Sequence, residues 1–183
     1  MIYGYAISGP DNGSTMYDEH DFGPLCENCG QYIGDQRTAN LEIVISRQNF
    51  DFSYTYDGWC IVSQNFRDFC LRNSYSGLRF GALPLSPGFY SFAIYREVTF
   101  DSDRRKTRFL NKCPLCGNYD SIVGAFPVFL EDVDRALEDG FFRTDLVFGS
   151  GNQKAPVYLV GCTTKTKLDL EKFSGLEVSV IDQ

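Results

Sequence analysis

Histidine is almost absent from this sequence, since His20 is the only one among 183 residues. Histidine is the usual general base near neutral pH, so a single copy leaves little choice for acid–base catalysis. The G-x-S-x-G and H-E-x-x-H motifs of nucleophilic and metallopeptidase sites are also missing. These absences predict that the chain is not an enzyme of a familiar class, and they leave open an enzyme of an unrecognised type.

Long apolar runs are absent as well. No stretch approaches the ~20 consecutive apolar residues that a membrane helix needs. The first residues, MIYGYAISGPD, lack the basic and apolar regions of a signal peptide. We therefore expect a cytoplasmic protein without a membrane partner. In that compartment, seven cysteines favour reduced thiols or metal ligands over a set of disulfides.

Positive charge is in deficit. The sequence has 17 Lys and Arg against 24 Asp and Glu, which gives a net charge of −7 and a pI of about 4.7. Phosphate binding normally needs the opposite sign, so we expect no nucleic-acid partner. One basic run exists at residues 104–108, and its position after TFDSD indicates an exposed hairpin end.

Two motifs of the form C-x-x-C-G stand out from this background. Cys26 and Cys29 lie in GPLCENCGQYIG, and Cys113 and Cys116 lie in NKCPLCGNYD. A tight turn with this spacing points both sulfurs to one side, and the glycine after it adopts a positive φ without strain. Two such turns supply the four thiolates of a structural zinc shell, which leaves no open position for catalysis. We therefore predict a structural zinc site.

Other interpretations of the cysteine pairs remain open. A redox C-x-x-C normally begins a helix, whereas CPLCGNYD is typical of a turn between strands. The pairs also resemble the two metal-binding knuckles of rubredoxin, which would make iron the metal and electron transfer the function. Two unrelated pairs of buried thiols are the third possibility. The other cysteines, Cys60, Cys70 and Cys162, are expected to be small buried hydrophobic residues.

The sequence also aligns with itself at an offset of 98 residues. Residues 59–83 then lie over 157–181, and the tripeptide SGL occurs at the same place in both copies. Each copy predicts a strand, a helix, a turn and a strand, with the helices at 63–73 and about 164–173. Each copy follows its own C-x-x-C-G motif. Any two strand–helix–strand units look alike, which is the alternative to a duplication.

The remaining segments predict further strands and one helix. Strands are expected at 1–8, 41–47, 50–56, 89–100 and 106–110, with strand, glycine-rich loop and strand at 141–160 and an acidic helix at 131–139. The prediction is a strand-rich α+β protein, a single domain over 1–183. Its two pseudo-repeated strand–helix–strand halves, about 26–83 and 113–181, would be joined by a zinc-ribbon-like four-cysteine site.

The two cysteine motifs, together with GWCIVS…SGLRF and FRTDLVFGSGNQKAPVYLVG…FSGLEV, resemble the double-CXXCG motif family of bacterial immunity proteins, which are encoded beside polymorphic toxins. The likeness runs from about residue 24 to 181. It implies a cytoplasmic protein that binds and neutralises a cognate toxin. Acidic surfaces would steer it towards a basic toxin such as a nuclease. The candidate partner-binding residues are Asp18, Glu19, Asp21, Glu131, Asp132, Asp134, Glu138 and Asp139.

Two other functions compete with this one. A zinc-ribbon module of nucleic-acid binding or transcription would share the cysteine pattern, although the net charge opposes it. A rubredoxin-like electron carrier would share the knuckles and would be red because of bound iron.

Overall fold

A computed structural model describes residues 1–17, 23–33, 39–131 and 135–182. This part of the chain forms eleven strands and three helices. None of its helices is long and apolar enough to cross a bilayer. The elements are β1 (Ile2–Ser8), β2 (Phe52–Tyr54), β3 (Cys60–Ser63), α1 (Gln64–Arg72), β4 (Leu78–Ala82), β5 (Phe89–Ile94), β6 (Glu97–Val98), α2 (Ser102–Arg105), β7 (Arg108–Lys112), β8 (Tyr119–Val123), β9 (Phe141–Ser150), β10 (Ala155–Val160), α3 (Cys162–Glu171) and β11 (Glu177–Asp182).

The strands form two sheets. The larger has the order β11-β1-β10-β9-β8-β7 with antiparallel neighbours, and β6 pairs in parallel with β9. The smaller has the order β2-β3-β5-β4 and is antiparallel throughout. The prediction of a strand-rich α+β protein is confirmed.

The hydrophobic core forms around strands whose side chains are apolar on both faces of the sheet. The run VYLV in β10 does not alternate with polar residues, which is typical of a central strand covered on both sides. Tyr158 and Val160 join a cluster that includes Phe66 of α1, Phe92 of β5 and Leu168 of α3. Val157 and Leu159 point the other way, into a second apolar cluster. The first cluster therefore fastens the two sheets and the two longer helices together.

The two longer helices lie close to their predicted positions. In α1, the Ser63 hydroxyl caps the first turn by accepting the Phe66 N–H at 3.3 Å. Phe66, Phe69 and Cys70 are buried at the predicted helical spacing. Helix α3 begins at Cys162, earlier than predicted, because its N-cap is Gly161, which has no side chain to mark the start.

Three local predictions were wrong. Residues 41–47 do not form a strand, although Ile43 and Ile45 are buried: the Ile45 N–H donates to the Ser86 hydroxyl at 2.8 Å instead of to a neighbouring strand. The basic turn after Asp101 is the short helix α2. Residues 131 and 135–139 are not helical: the Glu131 N–H donates to the Thr99 carbonyl at 3.0 Å, and the Leu137 N–H donates to the Tyr3 carbonyl of β1 at 2.6 Å.

The predicted strand 89–100 divides between the two sheets. Strand β5 ends at Ile94, after which the Arg143 N–H donates to the Arg96 carbonyl at 2.8 Å and the chain joins β9 as β6. This crossing connects the small sheet to the large one.

Both predicted strand–helix–strand units are present, as β3–α1–β4 and β10–α3–β11. In each unit a third strand lies between the two and pairs antiparallel with both: β5 in the first unit and β1 in the second. The order β2-β3-β5-β4 therefore has the same arrangement as β9-β10-β1-β11. A duplication of the halves stays a prediction.

Asp51 connects the two units, and its ionisation supplies a test of that connection. Its carboxylate accepts the Ser63 hydroxyl at 2.6 Å and the Ser174 N–H and hydroxyl at 2.9 Å. Burial raises the pKa of Asp51, but these hydrogen bonds outweigh burial and hold the pKa below its usual 3.8. A depressed folded-state pKa stabilises the fold above the unfolded pKa, and this stabilisation disappears as the pH falls through the folded-state value.

We therefore expect Asp51→Asn to lower the free energy of unfolding by about 1 kcal/mol at neutral pH, since the hydrogen bonds lose a charged acceptor and solvent screens part of their strength at this half-buried site. The difference from the unmodified protein should shrink as the pH falls below about 4. Urea denaturation across the pH range measures it, with Glu42→Gln on an exposed site as the control. A difference that does not change with pH would contradict the assignment.

Candidate metal centre

Each C-x-x-C-G motif folds into the same turn. The Gly30 N–H donates to the Cys26 carbonyl at 2.8 Å, and the Cys26 N–H donates to the carbonyl five residues later, also at 2.8 Å. The second motif repeats both bonds, from Gly117 to Cys113 at 3.0 Å and from Cys113 at 2.8 Å. Gly30 and Gly117 have φ values of +69° and +78°, as predicted. The two turns are called the first and the second knuckle below.

The four sulfurs converge on one point. The Sγ atoms of Cys26 and Cys113 are 3.8 Å apart, those of Cys29 and Cys116 are 3.6 Å apart, and all four lie within 4.8 Å of one another. A tetrahedral ion with metal–sulfur bonds of about 2.3 Å places its ligands about 3.8 Å apart. The arrangement fits such an ion. Within the described ranges, these cysteines are the only cluster of three or more potential metal ligands.

The site has a buried side and an exposed side. Cys26 and Cys113 are only 3% and 4% exposed, whereas Cys29 and Cys116 reach the surface. Each close sulfur pair takes one cysteine from each knuckle. An ion here therefore crosslinks segments that lie 87 residues apart in the chain.

The surroundings of Cys113 and Cys29 shift the pKa values of their thiols in opposite directions. The Cys116 backbone N–H and the Asn28 side chain, whose Nδ2 lies 3.3 Å from the sulfur, lower the pKa of Cys113 to about 6. At Cys29 the Gln31 N–H lowers the pKa, but burial and the neighbouring sulfurs outweigh it and raise the pKa to about 12. The Cys113 thiol therefore ionises before the Cys29 thiol, and a bound cation would favour the ionised form of a coordinating thiol.

The loop between β9 and β10 holds the first knuckle in place. The Asn152 side chain accepts the Tyr32 N–H at 2.8 Å and donates to the Gly30 carbonyl at 3.0 Å. The Asn118 side chain, from the second knuckle, donates to the Tyr32 carbonyl at 3.2 Å. The sequence marked this loop only as glycine-rich, and nothing local to it indicated that Asn152 supports a site formed by residues far away in the chain.

Lys154 is the second residue that sequence reasoning missed. Its ammonium donates to the Gln31 side-chain oxygen at 2.7 Å and to the backbone carbonyl of Tyr119. Burial lowers the pKa of Lys154, while the Asp120 carboxylate and the cysteine sulfurs oppose that shift. A positive charge at this place joins both knuckles and offsets the negative charge of the thiolates.

Removing that charge is expected to loosen the site. Lys154→Met keeps most of the side-chain length but loses the ammonium, so we expect roughly tenfold weaker metal binding by the cysteine cluster, the lower range for residues that support metal ligands. Competition with a chromophoric chelator measures the change. Lys112→Met is the matched control, because Lys112 adjoins Cys113 in the chain but places its ammonium over the Tyr119 ring. Equal losses in both variants would reveal a general charge effect and contradict a specific role.

The remaining cysteines divide into two kinds. Cys60 and Cys70 are buried, as predicted, and burial raises the pKa of both thiols. Cys162 is partly exposed at the start of α3, so the prediction that it is buried was wrong.

Five of the eight candidate partner-binding residues lie outside the described part of the chain: Asp18, Glu19, Asp21, Asp132 and Asp134. Glu131 is exposed. Glu138 forms an ion pair with Arg96. Partner binding by these residues remains a prediction.

Asp139 has intramolecular partners of its own. It accepts hydrogen bonds from Thr164 and Lys167, both at 2.7 Å, and from the Tyr75 hydroxyl at 3.1 Å. Asp139 therefore binds its own segment to α3, whatever else it contacts.

No family model matches the chain, and no curated protein is significantly similar to it in sequence.

Proposed function

We propose that the chain is an immunity protein that binds and neutralises a cognate toxin in the cytoplasm, and that its four cysteines hold a structural zinc ion. The observation that carries the proposal is the convergence of both C-x-x-C-G motifs on one closed four-sulfur cluster. This is the feature on which the resemblance to the double-CXXCG immunity proteins rests.

Zinc suits the cluster for two reasons. Four thiolates at the corners of a tetrahedron complete its coordination shell, so the ion shapes the protein and leaves no position for a reacting water. Zinc also does not change its oxidation state, which fits a role in joining two parts of a chain. Elemental analysis and the absorption spectrum of freshly purified protein test the choice: colourless protein with one zinc per chain is expected, and red protein with iron would favour the electron carrier.

The charge supports a basic protein as the partner. A net charge of −7 attracts a positively charged toxin and speeds its association at low salt. Glu131 is exposed and is one of the candidate partner-binding residues. The negative net charge of this chain therefore favours a basic toxin, such as a nuclease, as its partner.

Coexpression with the product of the neighbouring toxin gene tests the function. The protein should restore growth and copurify with the toxin, and Glu131→Lys should slow association several-fold more than Glu42→Lys, which reverses an exposed charge elsewhere. Absence of both rescue and binding would overturn the proposal.

The second candidate, a nucleic-acid module, has one observation in its favour. Strand β7 is exposed along its whole length and carries Arg108 and Lys112 directly before the second knuckle. Salt-sensitive binding of DNA or RNA at micromolar concentration would support this candidate over the immunity protein.

A further inference from the structure

A cavity of about 380 Å³ lies where the end of β1, the segment after β2 and the β9–β10 hairpin meet residues 125–126. Its size falls within the range of small-ligand sites, about 300–1,000 Å³. Five aromatic residues and one acidic residue are among those that line it: Tyr54, Tyr56, Phe126, Phe148, Tyr158 and Asp11. This cavity is called the aromatic pocket below. It is separate from the cysteine cluster, since no cysteine lines it.

Contacts with the protein interior fix two of the rings that line the aromatic pocket, Tyr158 and Phe148. Tyr158 is buried, and its hydroxyl donates to the Phe92 carbonyl at 3.0 Å. Phe148 packs edge-on against Phe100, with ring centroids 4.9 Å apart. At the outer side, Tyr56 is 67% exposed and Phe126 is 46% exposed. Large aromatic surfaces left open to solvent beside a cavity are typical of binding sites.

Asp11 is the one charged residue among the described residues that line the aromatic pocket. Its Oδ1 atom accepts the Gly13 N–H at 2.7 Å, which fixes the orientation of the carboxylate. The nearby Arg47 guanidinium donates to the Asp11 backbone carbonyl at 3.3 Å. The pocket therefore combines an aromatic wall with a positioned negative charge.

This combination selects a cation with an apolar stem. Aromatic faces attract cations through their quadrupole, and rings also cover the methylene groups of a long side chain. A planar guanidinium stacks on a ring and donates two parallel hydrogen bonds to a carboxylate, which an ammonium group cannot do. A neutral apolar ligand would make no favourable contact with the Asp11 carboxylate, so it would not use the negative charge of the pocket.

We propose that the aromatic pocket binds an arginine side chain presented by the protein partner. The proposal rests on the proposed function for the source of that arginine, because a basic toxin presents many such side chains. Arginine and tyrosine are also among the residues that contribute most to protein–protein binding. The chemistry of the pocket itself can be tested without the toxin.

The test is an NMR titration of the ¹⁵N-labelled full chain with N-acetyl-argininamide. We expect saturable shifts of the Gly9, Tyr56 and Ala155 amides, at least tenfold weaker binding of the neutral analogue N-acetyl-citrullinamide, and about tenfold weaker binding of the arginine probe by Asp11→Asn. Asparagine keeps an oxygen for the Gly13 N–H, so the turn is preserved. Tyr56→Leu should weaken binding several-fold, and Asp103→Asn, on exposed α2, should leave it unchanged.

Three results would overturn the proposal: no saturable shift at 50 mM probe, equal binding of citrullinamide, or unchanged binding by Asp11→Asn. Its failure is distinguishable from that of the proposed function. Arginine binding by a chain that neutralises no toxin would refute the immunity role alone. Neutralisation that survives both Asp11→Asn and Tyr56→Leu would refute the pocket's role in the complex.

Discussion

Cys113→Ser is expected to lower the midpoint of thermal unfolding by about 10–15 °C. Structural zinc contributes apparent binding free energies of about 10–16 kcal/mol in small peptides, where it also drives folding. This chain has apolar clusters of its own, so we expect a smaller effect on folding, on the order of 4 kcal/mol. In proteins of this size each kcal/mol shifts the midpoint by about 2–4 °C.

Cys113 is the most informative ligand to replace. It is buried, hydrogen bonds from the Cys116 N–H and the Asn28 side chain lower the pKa of its thiol, and its sulfur lies 3.8 Å from that of Cys26 in the other knuckle. Serine removes the thiolate with little change in volume, so lost coordination is the main consequence. Partner binding should weaken as well, because the two knuckles would separate.

Two controls distinguish lost coordination from general damage. Cys162→Ser changes a cysteine outside the cluster and should leave the midpoint within about 2 °C. A strong chelator should bring the unmodified protein down to the stability of Cys113→Ser, and it should not affect that variant further. An unchanged midpoint for Cys113→Ser, or metal-free protein after purification without chelators, would refute a structural metal.

The four-cysteine cluster could be predicted from sequence because the geometry of each of its two turns is local. Four residues with two cysteines and a following glycine define a turn, and the turn alone decides where the sulfurs point. The hydrogen bonds that hold the cysteine cluster in place come from residues far away in the chain. Asn152 and Lys154 reach the first knuckle across more than 120 positions of the chain, and polar residues in a glycine-rich loop give no sign of a distant partner.

The same distinction between local and distant interactions explains which elements of the fold could be predicted from the sequence. Strands β3 and β10 were predicted because both are apolar on each face, a property written in consecutive residues. Apolar and polar residues alternate around Ile43 and Ile45 as they do in a strand. This alternation indicates which side chains are buried, but a strand also requires a neighbouring strand for its backbone hydrogen bonds, and here the Ile45 N–H bonds to the Ser86 hydroxyl instead. Residues 131–139 were predicted as an acidic helix, yet the Tyr3 carbonyl accepts the Leu137 N–H, a bond to a distant strand that the local sequence does not indicate.

Gly161→Ala is expected to destabilise the fold by about 3 kcal/mol, through steric overlap. Gly161 has φ −71° and ψ 164°, a conformation that any residue adopts, so backbone freedom is not the reason for glycine here. An added methyl group would overlap the Glu138 carbonyl oxygen and lie 2.7 Å from the Leu137 carbonyl oxygen. Both neighbours are backbone atoms, so a side-chain rotation cannot relieve the overlap.

The overlap would separate α3 from the segment that crosses its first turn. That segment is held by the Gly140 N–H, which donates to the Thr164 hydroxyl at 2.6 Å, and by the bonds of Asp139 to α3. Loss of these bonds adds to the steric cost, and we expect a midpoint about 6–12 °C lower by calorimetry. Because Glu138 and Asp139 are candidate partner contacts, the affinity for the proposed partner should fall in the same variant.

Cys162→Ala, one position further along, is the matched control for the Gly161 prediction. It changes a partly exposed side chain in the same helical turn without adding volume, so its effect on stability should stay within about 0.5 kcal/mol. A Gly161→Ala protein as stable as this control would show that the segment 137–140, which crosses the first turn of α3, moves aside at little energetic cost. In that case the segment would not hold Glu138 and Asp139 in a fixed position for a partner.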